Sequence, residues 1–205
     1  MKTNRAVKTR EALLSAGYDL MMERSVDAIP IDDLVMAAGV GKGSFFNHFG
    51  DKEGFKSAIA IQVRGEIETQ ITMANMGVTD PLERLAGGMR EVTNYALSNR
   101  RQTLAMLRMT VGATATDYPL NEGMRADIEA CEHANLVRTE AKESGILYWL
   151  GLCVAVITYV VENEPSRDEA AEKLRHVMLL GLIGMGAKEA RAKEIAKRSA
   201  KMLGT

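Results

Sequence analysis

Residues 31–53 read IDDLVMAAGVGKGSFFNHFGDKE, and their spacing decides the fold of the N-terminal part of the chain. Asp32 and Asp33 fall in the first turn of a predicted helix, where the helix dipole favours anions. Gly39 ends that helix where a left-handed backbone is commonly required. A second, very short helix is expected from Lys42 to Phe49, stopped by Gly50, with Asp51 capping the next one. Phe45 and Phe49 lie one turn apart and must face the core together. Lys42, Gly43, Ser44, Asn47 and His48 are left on other faces. Two short helices joined by a glycine turn suit a DNA major groove, one bracing across the backbone and the other entering the groove. Gly43, having no side chain, lets the backbone come close.

The pattern continues on both sides. Leu13, Ala16, Gly17, Leu20 and Met21 recur at spacings of three and four, predicting a helix over about 9–24. After Phe49 a long helix is expected over about 52–76, with Phe55, Ile59, Val63, Ile67 and Ile71 as its buried stripe. Asp80-Pro81-Leu82-Glu83 opens a fifth helix with a cap, a proline at its first position and an early acid. A sixth is expected over about 101–113, then a loop through Pro119, a seventh over about 121–143 and an apolar eighth over about 145–162. Ser166 and Glu169 form a capping box for a ninth that ends around 181–186, and a basic amphipathic tenth follows over about 188–203. An apolar fraction supplied mostly by aliphatic residues, Ala and Met, few aromatics and only four prolines predict an all-α protein. Its 205 residues divide into a three-helix helix-turn-helix head, residues 1–56, and a larger helical body, residues 57–205.

The net charge of −1 excludes a basic nucleic-acid coat, but Lys2, Arg5, Lys8 and Arg10 precede any acid. That arm suits a phosphate backbone and equally suits a solvated tail. Cys131 and Cys153 lack metal-type spacing, and no apolar segment follows Lys2, so a reduced, cytoplasmic protein is expected. The uncharged stretch from Ser144 to Val161 reaches the length of a short membrane span, but it is read as a buried helix. No HExxH, P-loop, GxSxG or dinucleotide fingerprint is present, so neither an enzyme, a metal nor a cofactor is expected. Glu129 and His133, near Cys131 and Glu132, read as a surface pair on an acidic helix. The cysteines are either inert packing or redox sensors.

The head resembles the tetracycline-repressor (TetR) family of bacterial transcription regulators. The resemblance is carried by Thr9-Arg10-Glu11 with Leu13-Leu14, by Ala37-Ala38-Gly39-Val40, and by Gly43-Ser44-Phe45-Phe46-Asn47-His48-Phe49 followed by Lys52-Glu53. It implies that Lys42, Gly43, Ser44, Phe46, Asn47 and His48 face double-stranded DNA and that Lys52 meets a phosphate. On charge alone, Lys52 is a solvated lysine, mildly unfavourable in a first helical turn unless an anion binds there. Phe46 replaces the family's usual tyrosine and Gly41 its frequent serine cap, which removes one hydroxyl from the DNA face.

The resemblance also implies a homodimeric repressor, joined through its eighth and ninth helices, that leaves a roughly palindromic operator when a small molecule binds. Gly151, Cys153, Ala155, Gly181 and Gly184 would permit the close packing such a seam needs. Thirteen methionines, many between the fourth and seventh helices, suit either core filling or a pocket for an apolar or aromatic ligand. The expected lining is Met89, Thr93, Met106, Met109, Tyr148, Trp149 and Leu152. The competing readings are a helical-bundle enzyme and a DNA-binding architectural or adaptor protein without a ligand.

Overall fold

The computed structural model describes residues 2–109 and 121–204. Every regular element among them is helical: α1 Lys2–Leu20, α2 Ile31–Ala37, α3 Lys42–Phe49, α4 Lys52–Ala74, α5 Pro81–Ser98, α6 Arg100–Leu107, α7 Glu122–His133, α8 Glu140–Asn163, α9 Arg167–Gly184 and α10 Glu189–Gly204, with a 3-10 turn at Val26–Ala28. The expected loop through Pro119 and the end of the sixth helix beyond Met109 lie outside the described residues.

Two expectations about helix ends need correction. Helix α1 begins at Lys2, so the basic N-terminal residues are the first turns of a helix and not an extended arm. The seventh helix does not run to Glu143. It stops at His133, and Glu140 to Glu143 open α8 instead. The stop is a left-handed C-cap: Asn135 sits at φ 53° and the Leu136 amide reaches back to the Cys131 carbonyl at 2.9 Å. Asparagine carries this turn where glycine would have announced it.

The chain forms two compact units, divided inside α4 between Arg64 and Gly65. The first holds α1 to α3, the start of α4 and, from Arg101 onward, α6. Its core is the buried set Leu13, Leu14, Met21, Leu34, Phe45, Phe55, Ile59 and Val63. Helix α6 is tied to α1 by polar contacts. Arg101 pairs with Asp19 at 3.0 Å, and the Arg108 guanidinium donates to the carbonyls of Met21 and Arg24. A cation on those carbonyls opposes the negative end of the α1 dipole.

The second unit holds the rest of α4, then α5 and α7 to α10. Asp80 caps α5 by accepting from the amides of Leu82 and Glu83 at 2.9 and 3.2 Å. Burial pushes the Asp80 carboxyl up, but Arg191 and those amides outweigh it and hold it below the usual carboxylate range. Arg191 reaches Asp80 at 2.5 Å and Glu83 at 2.9 Å, which fastens α10 to the start of α5. Leu82, Met89, Ile128, Trp149, Leu174, Met178, Leu182 and Ile195 form one core through all five later helices. Helix α8 is long and apolar enough to cross a membrane by length and composition. Here Trp149, Cys153, Val156 and Val160 bury one side of it, and it packs against α5, α7 and α9.

Candidate nucleic-acid interface

Helix α3 is positioned by its aromatic side. Phe45 is fully buried and its ring centroid lies 5.4 Å from Phe49 and 5.5 Å from Phe55. Phe49 meets Phe55 edge-on at 5.0 Å. Such ring pairs add to their area of burial. The turns on either side are set by Gly39 at φ 65° and Gly50 at φ 75°, a region that costs glycine nothing. Asp51 then caps α4 by accepting from the Gly54 amide at 2.7 Å.

With that side fixed, none of the remaining residues of α3 is buried. Lys42, Gly43, Phe46 and Asn47 are exposed, and Ser44 and His48 are half-buried. The Phe46 ring stands edge-on to Phe45 at 5.7 Å and keeps 44% of its surface in water. Arg5 and Lys8 of α1 are exposed. Arg10 lies 5.9 Å above the Phe49 ring and reaches Gln62 at 3.4 Å.

The sequence did not reveal how acids hold the cations of this surface. Lys42 pairs with Asp32 of α2 at 2.8 Å. Lys52 donates to the backbone carbonyl of Asp27 at 3.0 Å, so it also ties the 3-10 turn to the start of α4. Lys56 bridges the Asp27 and Glu53 carboxylates at 2.5 and 2.7 Å, and these hydrogen bonds raise its pKa. Asp27 lies 25 residues before Lys52, and no local pattern couples the two.

The residues expected to line a ligand pocket are not equivalent. Met89 and Thr93 are fully buried one turn apart on α5, with the Thr93 hydroxyl donating to the Met89 carbonyl at 2.7 Å. Trp149 is fully buried in the core of the second unit, and Leu152 packs against that core. Tyr148 is 41% exposed and lies across Gly184, where an added Cβ would stand 2.3 Å from its hydroxyl. Met106 and Met109 are half-buried and belong to the segment grouped with the head.

Burial pushes both thiols up to about 12, with the Asp127 and Asp80 carboxylates adding to the effect at Cys131. The thiolate is the reactive form, so neither cysteine carries the reactivity of a sensor. Native protein at pH 8 is expected to leave both thiols unlabelled by an aromatic disulfide reagent, and unfolding should release both. Labelling of native protein within seconds would contradict this. His133 is exposed, with its nearest carboxylate, Glu132, 3.9 Å away, and no group of metal-ligating side chains occurs among the described residues.

This arrangement, two short helices crossed by a glycine turn with the second held by aromatic rings, defines a helix-turn-helix head on an all-helical body. Residues 13–59 match the family described as bacterial regulatory proteins, tetR family. Over 129 residues the chain is 28% identical to the HTH-type transcriptional repressor NemR of Escherichia coli K12, covering 59% of this chain and 60% of NemR. It therefore spans about three fifths of that relative. The fold is shared with a putative tetR family transcription regulator from Shewanella sp. PV-4, at a TM-score of 0.76 and 16% identity over 88% of this chain and 99% of that one. RolR in complex with resorcinol has a TM-score of 0.58 and 21% identity, with 96% of both chains covered.

Proposed function

We propose that the chain is a cytoplasmic transcriptional repressor that binds a DNA operator as a homodimer and releases it when a small apolar or aromatic molecule occupies the body. The observation that carries this reading is the surface of α3. Phe45 and Phe49 are anchored inward, while Lys42, Gly43, Phe46 and Asn47 are open to solvent. Ser44 and His48 are half-buried beside them, and in a major groove their side chains would meet base edges. Lys52 spends one ammonium N–H on the Asp27 carbonyl, and its other donors are free to meet a phosphate.

The pairing of two copies is supported by an exposed apolar stripe. Leu147, Gly151 and Val154 of α8 and Leu180 of α9 face solvent, with Leu147 58% and Leu180 68% exposed. Contiguous exposed apolar surface of this kind normally marks an interface. Two-fold pairing would make the operator palindromic. The ligand reading is supported by RolR, whose partner is resorcinol, and by the methionines and Trp149 of the body. Release requires that the ligand prefer the state that does not fit the operator, because equal affinity for both states shifts nothing.

Affinity measured against salt, for operator and for scrambled duplex, tests the DNA assignment. Lys52→Ala is expected to weaken both duplexes alike and to lower the salt slope by about one unit per subunit. Ser44→Ala should leave the slope unchanged and relax preference at one base pair per half-site, at a cost of at most about 1–3 kcal/mol. The docking is wrong if Lys52→Ala changes base preference while Ser44→Ala changes only the slope. Selection from random duplexes that enriches no motif would remove the repressor reading altogether.

A further inference from the structure

We propose that the cavity enclosed by the end of α4, by α5 and by α10 is a binding site for a small carboxylate, distinct from the pocket invoked above. The cavity measures about 130 Å³. Val78, Ile195 and Met202 supply apolar wall, and Arg90, Arg198 and Ser199 supply donors.

Two of those donors belong to side chains that are largely buried. Arg90 is 8% exposed. Its Nε donates to Glu91 at 2.9 Å, and its Nη1 meets only the thioether of Met202, at 3.5 Å. A guanidinium has five N–H donors in a planar fork, so most of this one is unanswered. Ser199 is 4% exposed and lines the same cavity. Two largely buried polar side chains thus meet at one cavity, each able to donate into it.

The local charges permit an anion. Glu83 also lines the cavity, but it is held by Arg191 at 2.9 Å and by Arg198 at 2.6 Å. The Arg198 side chain is 45% exposed, and exposed ion pairs of this kind exchange readily. It can turn from Glu83 to a bound carboxylate while Glu83 keeps Arg191. Glu91 accounts for one edge of the Arg90 guanidinium and leaves the other for the ligand. Asn75 closes one side of the cavity. Its amide donates to the Arg84 carbonyl at 3.0 Å, and it lies so close to Gly87 that a Cβ there would stand 2.2 Å from its oxygen.

Shape and polarity select the class of ligand. A carboxylate matches the guanidinium fork with two parallel hydrogen bonds. At about 30 Å³ for each water-sized group, the volume holds roughly four to five non-hydrogen atoms, the size of propionate. Its short alkyl tail would lie against Val78, Ile195 and Met202. A phosphate would bring more negative charge toward Glu83 and would have nothing to place on the apolar wall.

Calorimetric titration of the full chain with propionate, at constant ionic strength, tests the site. Propionamide and inorganic phosphate serve as parallel arms. One saturating site per chain is expected for propionate, with both other compounds at least tenfold weaker. Ser199→Val and Arg198→Ala should each weaken propionate at least tenfold without changing the unfolding midpoint measured in its absence. The proposal is overturned by the absence of saturable heat, or by phosphate binding as well as propionate, which would mean an adventitious ion only. Unchanged affinity in both variants overturns it too. No DNA enters the measurement, so loss of the repressor reading leaves this result standing.

Discussion

Gly54→Ala is expected to abolish specific duplex binding and to lower the stability of the head by about 3 kcal/mol, at the upper end of the usual cost of overpacking. The reason is a single close approach. A Cβ on Gly54 would lie 1.9 Å from the backbone carbonyl oxygen of Phe49, the last residue of α3. No side chain can rotate to relieve a clash with a main-chain atom. Either α3 or the first turn of α4 must shift, and the second choice breaks the 2.7 Å bond from the Gly54 amide to Asp51. Phe49 would move with its carbonyl and carry the ring cluster with it. Denaturant unfolding followed by circular dichroism, together with operator binding, reads the effect. A variant with native stability and native affinity would mean that this turn is looser than the structure has it.

A second large effect is expected in the body. Trp149→Ala should cost about 3–5 kcal/mol, the usual range for removing a large buried aromatic side chain. Trp149 is fully buried, and its ring lies so near α9 that a Cβ on Gly181 would stand 3.0 Å from Cζ3. That proximity depends on Gly181, so the space left by the ring cannot be closed by a neighbouring side chain on that face. A shift in the unfolding midpoint of the size seen for a surface substitution would show that α8 and α9 repack. The same burial bears on ligand detection. Because Trp149 is fully buried, its emission should already be that of an apolar environment, and a ligand is expected to register by quenching and not by a large blue shift.

Much of the head was legible in the sequence because its determinants are local. Gly39 and Gly50 announce their turns, Asp51 announces its cap, and Phe45 and Phe49 declare a face by their spacing. In the body, the capping box of Ser166 and Glu169 and the Asp80-Pro81 start were readable for the same reason. What escaped was encoded without a local signal. Asn135 adopts a left-handed conformation that asparagine reaches only part of the time, so the end of α7 was missed. The contacts of Lys42 with Asp32 and of Lys52 with Asp27 join separate elements. Arg108 crosses 87 residues to cap α1, and no periodicity records such a contact. The first compact unit runs through Arg64 and takes in α6 from Arg101, while α4 itself continues unbroken past Arg64.

The ion pair between Lys42 and Asp32 has a kinetic consequence under the repressor reading. The two side chains are 55% and 70% exposed, so the pair contributes at most about 1 kcal/mol to stability. Under that reading, the carboxylate competes with a phosphate oxygen for the Lys42 ammonium. Each encounter with DNA then becomes a substitution of one anion for another, not a capture by a bare cation. On random sequence the exchange gains little, because nothing else on α3 is satisfied at the same time. On that reading, Asp32 would shorten the stay on wrong sites, and the head would sample more of the chromosome in a given time than its positive charges alone would allow.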